Sequence, residues 1–207
     1  MIPNVAISTL RSATVSMMRV LLLVAAVLTI GQAERPDLSL ELQSTETSIK
    51  QFSELPRDPD VSQGTQDSLT QQLNTIHAYT KSVYDLRGEF EQISENLAEM
   101  AASWLEIYGR RTMSIVEEGK LTAVNARQAS HSILRVRLDQ MVVKLYLAAI
   151  QHDDREEALR MITMGQKVGE ISQTLASSLN THDKEKIKAS WDAAEALLRE
   201  LEPQYGQ

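Results

Sequence analysis

Between Pro59 and Pro203 the chain contains no proline. Proline removes a backbone donor and clashes with the preceding turn, so a stretch this long without it leaves room for long, unbroken helices. The apolar pattern within the stretch repeats at helical spacing. From a start near Asp67 or Ser68, a first line runs through Leu69, Leu73, Ile76, Val83, Leu86, Phe90, Ile93, Leu97, Met100 and Trp104, with Thr80 filling its gap. Steps of three and four describe an amphipathic helix that buries one face against partner helices. Taken as one helix over residues 67–108, it would be roughly 60 Å long. It ends either at Gly109, with Arg110 and Arg111 answering the C-terminal dipole, or at Gly119, with Thr122 capping the next helix. Gly119 is the preferred end, although it leaves Glu117 and Glu118 at a terminus that disfavours acids.

Three more helices follow. The second carries Val124, Ile133, Leu134, Leu138, Met141, Val142, Leu145, Ala148 and Ala149, and ends near Ile150. Asp153 and Asp154 cap the third, whose first turn holds Glu156 and Glu157 and whose core line is Ala158, Ile162, Val168, Ile171, Leu175 and Leu179. Asn180, Thr181, His182 and Asp183 end the third and cap the fourth, which uses Ile187, Trp191, Ala194, Leu197, Leu198 and Leu201 and stops before Pro203. The expected fold is therefore all-α. It is an elongated antiparallel four-helix bundle or coiled coil over residues 67–203, with a four-residue tail. Aromatic residues make up only 4% of the chain, so Leu, Ile, Val, Met and Ala must fill the core. That palette suits helix packing.

Residues 34–66 read as an arm containing Pro36, Pro56 and Pro59. Leu42, Ile49, Phe52 and Leu55 line one face of a possible short extra helix capped by Asp37 and broken at Pro56-Arg57-Asp58-Pro59. A helix is preferred to a disordered arm.

Residues 1–33 read as a signal peptide. Val20–Ile30 is a nearly continuous apolar run preceded by Arg19 and followed by Gly31-Gln32-Ala33, so Glu34 would begin the mature chain. Met17 or Met18 is a candidate true start. An uncleaved anchor and a mitochondrial presequence are the rivals. The apolar run falls short of the ~20 residues a membrane span requires. The expected location is secreted or periplasmic, with no stable membrane span after cleavage.

The formal charge is −7. Without Arg11 and Arg19, 19 basic residues face 28 acidic ones, a net of −9. Such a body opposes a sequence-independent grip on nucleic acid. The absence of cysteine excludes disulfides, thiolate catalysis and cysteine-held metals.

The remaining side chains offer no reaction motif, and neither a catalytic set, a metal site nor a cofactor is expected. His131, near the seam of the second helix with Arg135 a turn later, is either a register-setting polar residue or a contact in a ligand-binding core. Arg110 and Arg111 are either a solvated helix end or an anion contact. Gly165 and Gly169, four apart, allow close approach of a neighbour such as Trp191 or Trp104. Met161 and Met164 read as packing. Lys184, Lys186 and Lys188 read as a solvated face. The preferred reading is a non-enzymatic helical protein that works by protein–protein contact, with a protein partner or a second copy of itself. The alternative is a bundle that senses or carries a small ligand or metal, in a cavity lined by residues such as His131 and Arg135.

Overall fold

A computed structural model describes residues 37–86, 88, 94–179, 181 and 183–206. The expected signal segment, together with Phe90, Ile93, Asn180 and His182, lies outside them. The described chain is an all-α bundle. Its helices are α1 (Ser39–Glu54), α2 (Gln63–Leu86), α3 (Ser94–Trp104), a π turn (Leu105–Gly109), α4 (Arg110–Glu118), α5 (Ala123–Gln151), α6 (Arg155–Leu179) and α7 (Lys184–Tyr205).

The expected first long helix is two helices. α2 ends at Leu86, and Gly88 follows in a turn in which its N–H donates to the carbonyl of Asp85. α3 then packs back along α2. Tyr79 meets Trp104, and His77 meets Tyr108, so the pairing runs antiparallel. The unbroken apolar line concealed this hairpin because both of its arms turn the same face to one core. α3 passes through the π turn into α4 without a stop, so Gly109 does not end a helix. A Cβ on Gly109 would lie 2.9 Å from Thr45 Oγ1, so glycine here makes room for the Thr45 side chain of α1. The helix ends at Gly119, whose φ of 73° is the left-handed conformation that favours glycine. Thr122 then caps α5 in a reciprocal box with Asn125. Asn125 Nδ2 also donates to Glu118 Oε2 at 3.1 Å, which gives the acid at the end of α4 a partner.

α1 is an integral part of the core. Leu42, Ile49 and Phe52 are buried. Asp37 lies one residue before the N-cap position. Its carboxylate accepts from the N–H and hydroxyl of Ser39 and from the hydroxyl of Tyr84 on α2. Gln66, buried on α2, donates to the carbonyls of Phe52 and Leu55 and so satisfies the end of α1. α2 itself starts a turn earlier than expected because Ser62 accepts from the N–H of Thr65. The Pro56–Pro59 segment is clasped to the loop between α4 and α5. Leu121 donates to the carbonyl of Pro56, Asp58 donates back to Leu121, and Lys120 pairs with Asp58.

Two apolar clusters result. The first joins α1, α2, α3, α4 and one side of α5; the second joins the other side of α5 with α6 and α7. Gly165 faces α5: a Cβ there would make an ordinary contact of 3.5 Å with the Tyr146 ring, so the neighbour is Tyr146 and neither tryptophan. Gly169 faces open space. α7 continues through Pro203 to Tyr205. In the last turn proline forfeits a single backbone bond, and Leu201 and Tyr205 still pack on the second cluster.

Two substitutions probe this arrangement. Leu138 is fully buried in the second cluster, and Leu138→Ala should cost about 2–5 kcal/mol. Gly119→Ala meets no neighbour but must hold a left-handed conformation, at a cost of about 1 kcal/mol. Urea titration of each variant measures both losses.

Candidate functional site

His131 lies half-buried on α5 and packs on Trp191 of α7, with ring centroids 5.0 Å apart. Burial holds its imidazole below the ordinary value, and Arg127 adds to the effect. Arg135 is exposed. Its charge acts on Asp139, one turn further along α5, which accepts a hydrogen bond from Ser172 at 2.9 Å. Arg110 and Arg111 part company. Arg110 is exposed and pairs with Glu106 of the same rod, while Arg111 donates to Gln128 on α5 at 3.1 Å. They sit within a continuous helical rod and answer no helix end.

The capping residues read from the sequence act as caps. Asp154 accepts from the N–H groups of Glu156 and Glu157, which hold its carboxyl below the usual range. His152 Nδ1 accepts from the N–H of Asp154. Asp183 accepts from Glu185 and Lys186 at the start of α7. Lys186 and Lys188 pair with Asp183 and Asp192 on an exposed face. Met161 is buried and Met164 partly so, both packed in the second cluster. Among the described residues no group of three His, Cys, Asp or Glu side chains is placed to hold a metal ion.

Two polar arrangements were not legible beforehand. The first is buried in the first cluster. His77 Nδ1 and the Tyr108 hydroxyl are 2.9 Å apart. Gln140 of α5 donates to Thr80 Oγ1 and to the carbonyl of Ile76. Burial lowers the His77 pKa, opposed by Glu46 and assisted by Lys81. It raises that of Tyr108. The group is closely packed, and its partners fix how α2, the π turn and α5 align.

The second arrangement is a cleft where α2, α5 and the end of α7 meet. Arg137 holds the Glu202 carboxylate through three contacts of 2.7–3.0 Å and donates to Gln72 of α2. Lys144, seven residues on and so on the same face of α5, donates to the carbonyl of Gly206 at 2.7 Å. Its ammonium lies 4.5 Å from the centre of the Tyr79 ring. Burial lowers the Lys144 pKa against the opposing charge of Glu202. The seven-residue spacing of two cations was the available signal. Nothing in the sequence said that residues 72, 79 and 202 would face them.

The chain matches no protein-family model, no curated protein and no solved structure.

The lowered histidines set a pH dependence. In the unfolded chain each ring takes up a proton near pH 6.5, whereas in the fold it does so only at lower pH. The unfolded chain thus binds more protons in that window, and stability falls as pH drops below about 6.5. Asp139, whose carboxyl burial raises, acts in the opposite sense at lower pH, where the fold regains stability as that group is protonated. His131→Phe keeps a ring on Trp191 and should remove part of the loss between pH 7 and pH 5, read by urea titration at both. Tyr108→Phe deprives His77 of its partner and should cost about 1–3 kcal/mol at neutral pH.

Proposed function

We propose that this is an exported, non-enzymatic helical protein that acts through protein–protein contacts in the periplasm or outside the cell. The observation that carries the contact reading is a pair of apolar side chains beside one turn. Ile150 at the end of α5 is 70% exposed, and Leu159 at the start of α6 is 50% exposed. They flank the polar turn at 152–154. Burying what remains exposed of these two side chains in an interface is worth about 1–2 kcal/mol each. A second copy of the chain is the partner this reading takes first.

The export reading rests on Arg19, the Val20–Ile30 run and Ala33. The described helical body begins at Asp37, so a cut after Ala33 falls outside it. Among the described residues no helix is long and apolar enough to cross a membrane. The acidic balance supports a partner other than nucleic acid.

Light scattering over a range of protein concentrations, with crosslinking, tests the contact reading. The expected result is a mass that rises with concentration, and a return to monomer in the Ile150→Glu/Leu159→Glu variant. A strict monomer that yields no crosslinked species and is indifferent to both substitutions would sink it. Export is checked separately by mass spectrometry of the protein recovered from a secreting host. The expected mature N-terminus is Glu34, and recovery of the uncut chain from the cytoplasm would count against export.

A further inference from the structure

The cleft between α2, α5 and α7 encloses about 450 Å³, within the ordinary range for small-ligand sites. Its charged lining is Arg137, Lys144 and Glu202, which leaves an excess of one positive charge in a chain whose formal charge is −7. Tyr79, partly exposed, provides an apolar wall beside these charges, with Ile76 and Met141 buried behind it.

We propose that this cleft binds a small organic monocarboxylate, with its carboxylate at Lys144 and Arg137 and its apolar body against Tyr79. The cations already work on oxygen acceptors. Arg137 grips the carboxylate of Glu202, and Lys144 donates to the carbonyl of Gly206. Both acceptors come from the last turns of α7, so the chain's own C-terminal turn occupies part of the chemistry an external carboxylate would use. A single negative charge matches the excess. A dianion would add a second negative charge beside Glu202. Lys144 is partly desolvated, and burial lowers its pKa, so an anion beside it favours its charged form as Glu202 already does. The proposal is independent of the contact surface at Ile150 and Leu159.

Benzoate, benzyl alcohol and benzylamine share a ring and differ in charge, and calorimetric titration of each into the full chain separates charge from shape. Benzoate should bind, with the alcohol and the amine weaker by roughly tenfold or more. Lys144→Gln should weaken benzoate by a similar factor while its circular dichroism stays helical. Glu202→Gln removes the internal competitor and should tighten benzoate several-fold, a gain that loss of structure cannot imitate. Equal binding of benzoate and benzyl alcohol would overturn the proposal. So would an absence of benzoate binding in both the wild-type chain and Glu202→Gln, or a Glu202→Gln variant that binds benzoate more weakly.

Discussion

α5 has to bury two faces at once, and the rest of the bundle is arranged around that requirement. Ala126, Ala129, Ile133, Val136 and Val143 belong to the first cluster, and Gln140 continues the same line. Leu134, Leu138, Met141, Leu145 and Ala149 belong to the second. Each set advances by threes and fours, and each alone would define an amphipathic helix. Together they leave α5 apolar on most of its circumference, as befits a helix with neighbours on both sides. A helix of 29 residues, roughly 43 Å long, can serve both cores along much of its length. Among the described residues α5 is the one helix with buried apolar residues in both clusters.

A helix with two apolar faces invites errors of register, because Leu, Ile, Val and Ala tolerate sliding and repacking. The polar groups in the first core restrict that freedom. Gln140 reaches only the one turn of α2 that presents the Ile76 carbonyl and Thr80 Oγ1. His77 finds its partner only if the π turn brings Tyr108 opposite it. A slip of one turn would strand these groups without partners, at about 1–3 kcal/mol for each. In the second core the work is lighter. Ser178 and Ser190 share a hydrogen bond of 2.6 Å, and Asp139 meets Ser172.

The features that the sequence made legible are those governed by near neighbours in the chain. The apolar lines of α2, α6 and α7, the stop at Gly119, the box started by Thr122 and the caps at Asp154 and Asp183 each depend on a few consecutive residues. The break after Leu86 was not legible, because a hairpin whose arms face one core keeps the periodicity of a single helix. Gly88 was its sole marker. On α5 the line to the second cluster was legible, whereas Ala126, Ala129, Val136 and Val143, which face the first, were not, since two lines a residue apart read as one broad stripe. His131 was placed correctly near a seam, but its neighbour, Trp191, is 60 positions away and could not be named. The cleft was the least legible feature, because it is assembled from α2, α5 and α7 and no short segment contains two of its walls.

The position of that cleft follows from the geometry of α5. Successive residues turn by about 100°, so Arg137 and Lys144 fall in the narrow sector between the line through Ile133 and Gln140 and the line through Leu134 and Met141. This sector is the groove where two cores meet and neither covers the helix. An aliphatic side chain there would lack neighbours on one side. Long cationic side chains can lay their stems along the apolar walls and hold their charges at the opening. Arg137 then spans the gap, with Gln72 of the first helical group on one side and Glu202 of the second on the other. The two cores are thus joined here by directional hydrogen bonds, and directional groups cannot fill space as methyl groups do. The same constraint that makes α5 serve two cores therefore leaves a charged, partly open space beside it, and the last turns of α7 fill only part of that space.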